Sequence, residues 1–474
     1  MDLLVIILPF IAGTAIIVAL FPEYCHSGIC LILAGSIGAG IGLGITSATA
    51  FLWLAWVNHP GGYYLIAELC LSFFLVLIAI YRFRYADITV TKDQLSSYRA
   101  TINQIGWLKR IFLFLLIAFV ASFILKAYFD RPHGAHDAWA IWNYRARWLF
   151  KGGSNWTHAF TYLNAADSPD YPLLVTGSVF RMWSILGTDH VAIPIMVAGV
   201  LAVGSILIIF SSIGILRGEH QGYLAAMFIF ITTQFLNVAT YQYGDVPLSF
   251  YILSTMVLFS LKDHYPNLFL RLLFLTGLTA SCAAWTKNEG ILFLVLIILI
   301  QFIGKIRRHN WSRIFTQFFY FFLGMSFVGS TIIYFKLRFA IQNDLVNKTN
   351  LSKLGVYLLD IDRYLEVLLG ITKKIFTFND HIFILLIVFF LLSGLARSSF
   401  VKKGVGSHIL LMLLMLGGYS FSFFISPHDL TWHMGSSLRR LLVQLWPTWI
   451  FIAFYCVKGP EKNIENEYGK ILSS

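Results

Sequence analysis

Apolar runs close to the length needed to cross a bilayer recur along almost the whole chain. A helix rises about 1.5 Å per residue, so about 20 apolar residues span the hydrocarbon layer. Such runs read at roughly 2–21, 29–56, 63–81, 108–128, 190–216, 220–241, 245–262, 268–286, 290–304, 314–336, 381–396, 407–425 and 438–457. Inside lipid every backbone N–H and C=O needs a partner from its own segment or a closed barrel, and long apolar runs meet that need as helices. The pattern predicts an all-α polytopic membrane protein with about thirteen transmembrane helices. Composition agrees: 58% of the 474 residues are hydrophobic and 12% are charged, against about 25% charged in soluble domains. The first run lacks the basic leader and small-residue cleavage site of a signal peptide, so it is predicted to be a retained helix.

The formal charge of +12 does not point to nucleic acid, because the basic residues sit in loops between the runs and report membrane orientation instead. Segments 82–110, 217–220, 262–271, 304–313, 396–403 and the tail after 457 hold 19 of the 35 basic residues. That side is predicted to be cytoplasmic. Segments 129–189, 242–245, 287–290, 337–380 and 426–437 then share the outer side. The five cysteines, Cys25, Cys30, Cys70, Cys282 and Cys456, are scattered, with no CxxC or Cys/His cluster. The spacing supports neither a disulfide framework nor a zinc site.

Two outer segments do not read as spans. Tyr171 to Gly187 is apolar but short and carries Arg181 in mid-run, which would cost about 2.5–3.5 kcal/mol at a bilayer centre. It is predicted to be an interfacial or re-entrant helix. Asp137 to Phe150, with Trp139, Trp142, Trp148 and Phe150 among Arg145 and Arg147, reads as a helix lying on the membrane. The chain divides into 1–106 (additional N-terminal helices and a cytoplasmic loop), a core at 107–457 and a cytoplasmic tail at 458–474.

Five polar clusters fall on the outer side. They are His136-Asp137; Asp167 with Asp170-Tyr171-Pro172; Gly244-Asp245-Val246-Pro247; Lys287-Asn288-Glu289-Gly290; and His428-Asp429 followed by Trp432-His433 and Arg439-Arg440. Ionisable groups at the mouths of apolar helices are costly, and their gathering on one side marks a candidate site. Each also has a plain structural reading. Asp137 or Asp245 suits a helix N-cap, Lys287 suits a lysine reaching for the interface, and Arg439 and Arg440 suit interfacial anchors. His428 and His433 lack a third ligand at sensible spacing, so they read as hydrogen-bonding residues and no metal site is called.

The stretch DAWAIWNYRARWLF at 137–150, DYPLL at 170–174 and a short helix ending at Gly187 resembles the first extracytoplasmic loop of bacterial GT-C glycosyltransferases. These are relatives of the protein O-mannosyltransferases and the lipid A aminoarabinose transferases. Asp245-Val246-Pro247-Leu248, TKNEG at 286–290 and HDLTWHMGSSLRRLL at 428–442 resemble further parts of the same pattern, over roughly 107–457. The chain differs at Asp170-Tyr171-Pro172, where several members carry a basic residue or His before Pro-Pro-Leu. The resemblance implies a GT-C-type helical bundle with interfacial helices in its long first outer loop. It also implies a polyprenyl-phosphate-linked sugar as donor and a lipid, glycan or protein hydroxyl as acceptor, at the outer face of a bacterial inner membrane.

On that reading Asp137 and Asp245 are the candidate catalytic carboxylates, with Asp137 as general base. Lys287, Arg439, Arg440 and Tyr171 are candidates for the donor phosphate. His136, Asp170, Glu289, His428, Asp429 and His433 would hold the acceptor or support the site. The expected partners are the lipid-linked donor, the acceptor and membrane lipids; no organic cofactor is implied, and a divalent cation is left open. The alternatives from other classes are a transporter or flippase of lipid-linked saccharides and a purely structural membrane subunit.

Overall fold

The computed structural model describes residues 2–58, 62–86, 106–161, 168–306, 311–340, 355–379, 381–394, 396 and 399–458. Asp167, most of the 82–107 loop, 341–354 and the tail lie outside the described residues. Regular structure among the described residues is all helical. In chain order the α-helices are α1 (Asp2–Leu20), α2 (Gly28–Val57), α3 (Gly62–Arg84), α4 (Gly106–Leu125), α5 (Asn143–Lys151), α6 (Leu174–Leu186), α7 (Ala192–Arg217), α8 (Glu219–Phe230), α9 (Thr233–Thr240), α10 (Asp245–His264), α11 (Phe269–Thr286), α12 (Asn288–Ile306), α13 (Trp311–Arg338), α14 (Ile361–Phe376), α15 (Ile382–Ser393), α16 (Ser399–Phe424) and α17 (Leu430–Cys456). Among the described residues eight helical stretches are long and apolar enough to cross a membrane, and a ninth qualifies if the bent pair α8–α9 is one span. The chain is a polytopic membrane protein. Of the thirteen expected spans, α1, α12 and α15 carry only short apolar stretches, and the apolar pattern of α17 is broken by Arg439, Arg440 and Gln444.

The bundle is organised around α10, whose residues Asp245 to Lys262 are all buried. Two of its hydroxyls bond back to its own turns, Ser254 to the Phe250 carbonyl and Thr255 to the Tyr251 carbonyl at 2.7 Å, which spares an interior helix those two stranded donors, while the buried Ser249 Oγ finds no partner among the described residues. Helices α2, α7, α11 and α17 surround it. The Tyr251 hydroxyl donates to the Gly40 carbonyl of α2 at 2.7 Å. Small residues let α1 cross closely over α2: a Cβ at Gly13 would stand 1.9 Å from the Gly38 oxygen, and one at Gly42 would stand 1.7 Å from the Pro9 oxygen. Without a hydrophobic drive between helices in lipid, such backbone approach is what gains dispersion energy.

Three expectations change. The run 220–241 is not one helix: α8 and α9 meet at a 64° bend. Asn379 repairs the break, its Oδ1 accepting from Thr233 Oγ1 and the Gln234 N–H at 2.9 Å while its Nδ2 donates to the Ile231 carbonyl at 3.1 Å. The segment at 171–187, expected as an interfacial or re-entrant helix, packs inside protein: every residue of α6 from Leu174 to Trp183 is buried in the bundle. Its Arg181 meets Glu68 of α3, Nε lying 2.9 Å from both carboxylate oxygens, and donates to the Val5 carbonyl at 3.0 Å. A buried charge persists when paired and hydrogen-bonded, which is why this helix can be interior. The amphipathic stretch at 137–150 likewise turns its apolar face to protein. Trp142, Arg145, Ala146 and Leu149 are buried, while Trp139 is exposed.

The loops sort to two ends. Arg271 pairs with Glu23 at 2.9 Å, and the Lys458 N–H bonds the Gly394 carbonyl at 3.0 Å. At the other end Trp156 donates to Asn58 at 3.0 Å and Lys336 donates to the Asp170 carbonyl at 2.6 Å.

Candidate functional site

At that second end, side chains from five separate stretches of chain meet. Asp245 opens α10, buried to 2% exposure. It sits in the first turn, where the helix dipole favours an anion, but its carboxylate caps nothing. Instead Oδ1 accepts from Lys287 Nζ at 2.9 Å and from Gln444 Nε2 at 2.6 Å. Lys287, 7% exposed, ends α11 and reaches Glu289 Oε1 at 2.9 Å as well. Burial opposes its charge, but the facing Asp245 and Glu289 carboxylates outweigh that and hold its pKa above the ordinary lysine range. Gln444 is fixed in turn by the Tyr419 hydroxyl, which donates to its Oε1 at 2.6 Å.

Arg440, one turn before Gln444 on α17, forms an ion pair with Asp137 and lies 3.9 Å from Asp245 Oδ2. Asp137 and Arg440 are 26% and 23% exposed, so this is the open side of the cluster. Asp137 makes no capping bond. It stands just before a π-helical turn, Ala138–Trp142, a local widening that often marks functional sites. Its backbone N–H donates to the Tyr243 hydroxyl at 3.2 Å, and the Arg440 guanidinium lies 5.1 Å over the Tyr243 ring. Burial pushes the Tyr243 phenol up to about 12, so it stays protonated. His136 Nδ1 lies 3.5 Å from Asp137 Oδ1 and faces outward.

Local chain geometry makes this convergence possible. Trp142 stacks on Tyr171 at 5.6 Å, and Lys287 lies 5.5 Å over the Tyr171 ring. Gly244 fits between Trp142 and Lys287: a Cβ there would stand 2.8 Å from the indole and 3.0 Å from the lysine chain. The preceding Gln242 adopts φ 60°, a conformation uncommon for a residue with a side chain. Its buried amide accepts from Asn143 Nδ2 at 2.9 Å and donates to the Arg131 carbonyl at 3.1 Å, which clamps the two loops together. Burial raises the Tyr171 phenol above its ordinary range, so it too remains neutral.

The other expected residues fall into two neighbouring groups. Asp170 forms a second cluster with Lys336 Nζ at 3.2 Å and Asn288 Nδ2 at 2.8 Å. Asn288 precedes Glu289, so the two clusters share the turn into α12. His428, Asp429 and His433 stand at the start of α17. Asp429 caps that helix, accepting from the Trp432 N–H at 2.8 Å. His433 Nδ1 lies 2.8 Å from Ser426 Oγ; burial, then the positive fields of Arg363 and Arg440 beside His428, push its pKa down to about 4, so it is neutral at physiological pH. Arg439 departs from the expected cluster: it is exposed and shares its surroundings with Lys373 and Lys374 of α14. Gln444, Tyr419, Tyr243 and Lys336 were not singled out by sequence, and Asn288 was named only as a member of its cluster. A glutamine one turn after Arg440 in an apolar run was a usable signal; the tyrosines and Lys336 carried none.

The cluster thus sets three carboxylates, Asp137, Asp245 and Glu289, against two cations, Lys287 and Arg440. Glu289 Oε2 is buried with no hydrogen-bond partner among the described residues. Among the described residues no group of three or more His, Cys, Asp and Glu is placed to hold a metal ion. The chain matches no family model, curated protein or solved structure.

Proposed function

We propose that this cluster transfers a sugar from a polyprenyl-phosphate-linked donor to a hydroxyl acceptor, at the outer face of the membrane, in a GT-C-type bundle. The observation that supports it most is the acid-rich, partly open convergence of Asp137, Asp245, Glu289, Lys287 and Arg440. Such a transfer needs a carboxylate to take the acceptor proton and cations to stabilise a phosphate leaving group. Asp137, on the open side, is the base: as the acceptor oxygen bonds to the anomeric carbon, its proton passes to Asp137. The bond from that carbon to the phosphate oxygen breaks, and the lipid phosphate departs with the electron pair, inverting the centre. Arg440 and Lys287 face the phosphate; Asp245, almost fully buried, positions both cations and Gln444. Glu289 Oε2 accepts from a sugar or acceptor hydroxyl.

An Asp137→Asn variant keeps the shape but cannot take a proton. It should fold and bind donor while turnover in detergent falls about 10²–10⁴-fold, the usual contribution of a general base. Near-normal transfer by this variant would remove Asp137 from the mechanism. The bend at Ile231–Thr232 favours a second reading, because broken helices are a transporter feature. Detergent micelles have no second compartment, so sugar transfer there separates the two: lipid-linked saccharide movement in liposomes without transfer would support the transporter.

A further inference from the structure

A different cationic group lies on the other side of α17. Helix α14 runs alongside α17, its Val367 and Ile371 buried, and Phe378, just past its end, sets its ring 5.5 Å from Trp446. Lys374 falls on the same stripe, three residues after Ile371 and seven after Val367, the spacing that keeps side chains on one helix face. A lysine therefore occupies a seam position, and Arg439 of α17 stands across from it, with Lys373 beside it. Burial first, then the like charges of Arg439 and Lys373, lower the Lys374 pKa. Among the described residues no carboxylate pairs with any of the three; Asp380 lies outside them. Glu366, the nearest acid on α14, accepts from Thr431 at 3.3 Å, two turns away.

Like charges gathered around a half-buried lysine, with Lys373 and Arg439 exposed beside it, are destabilising unless an anion joins them. The exposed residues of the same helix are mostly apolar: Ile361, Leu365, Leu368, Leu369 and Phe376 stand open, with Asp362 and Glu366 exposed in its first two turns, and Leu391 and Leu392 of α15 stand open too. An amphipathic helix with this arrangement sits at the headgroup level, its apolar face in lipid. We propose that Lys373, Lys374 and Arg439 bind the headgroup of an anionic phospholipid from the surrounding bilayer, whose acyl chains lie along the α14–α15 face. Basic groups at a membrane interface attract anionic headgroups by charge, here those of the outer leaflet on the orientation read from the sequence. This site is separate from the Asp137 cluster and stands whether or not that cluster transfers sugar.

The test uses the full chain in neutral detergent, titrated with short-chain phosphatidylglycerol or phosphatidylcholine and followed by native mass spectrometry. Wild type should retain phosphatidylglycerol and not phosphatidylcholine, and Lys374→Gln/Arg439→Gln should lose about tenfold or more in affinity, one or two charge-assisted bonds' worth. Lys374→Arg/Arg439→Lys should keep the binding, which separates lost charge from lost fold. Equal retention of both lipids, or unchanged phosphatidylglycerol affinity in the double Gln variant, would overturn the site. Polyprenyl phosphate binding through these residues far more tightly than phosphatidylglycerol would also overturn it and hand them to the donor. Wild type indifferent to lipid, with Asp380→Asn gaining phosphatidylglycerol binding, would make Asp380 the missing counter-charge.

Discussion

Two of the buried ionic groups in this bundle differ in kind. Arg181 and Glu68 are one cation and one anion, closed off between α6 and α3, with a backbone carbonyl taking a further donor. The Asp137–Arg440 group has a surplus acid, a buried carboxylate oxygen without a hydrogen-bond partner among the described residues and one side open. A charge-matched pair has its charge satisfied within the fold. An open group with unequal charge holds capacity that folding has not used. The first reads as architecture, joining the N-terminal helices to the core, and the second as chemistry.

The largest expected effect tests the architectural half. Arg181→Met should leave Glu68 buried and unpaired and cost about 3–5 kcal/mol of stability, read as a lower melting temperature in detergent. Glu68→Leu/Arg181→Met together should recover most of it. Transfer per folded molecule should stay unchanged in the double variant; its loss would erase the distinction between the two groups. Next in size, Lys287→Gln should weaken donor affinity roughly ten- to a hundredfold, since a charge-assisted bond contributes about 1.5–3 kcal/mol, and should change turnover at saturation less. Unchanged donor affinity would place the phosphate elsewhere. The smallest effect concerns the bend that carries α9 toward the site. Asn379→Ala removes its caps and should cost about 1 kcal/mol, with a modest loss of activity. A larger loss of transfer than of stability would show that the bend is tuned for function.

Much of the candidate site was legible in the sequence for a local reason. Asp137, Asp245, Lys287, Glu289 and Arg440 each interrupt or border an apolar run, and a charge in that setting stands out without knowing its neighbours. The capping alternatives for Asp137 and Asp245 could be settled only by geometry, since a cap and an ion pair place the same residue at the same helix start. Arg439 and Arg440 show the limit most clearly. Adjacent residues on a helix point about 100° apart, so one turns to Asp137 and the other to Lys374, and no reading of the pair in sequence says which.

Hydropathy is a property of neighbouring residues, and the sequence by itself determined that the chain is an all-helical polytopic membrane protein. Asp137 and Arg440 lie 303 residues apart, and Glu68 and Arg181 lie 113 apart. Which charge meets which, that α6 is interior and not superficial, and where Asn379 mends the α8–α9 break were decided only by tertiary packing. A charge takes its partner from whatever packing brings within a few ångströms, and in a bundle this size that is rarely a neighbour in the chain.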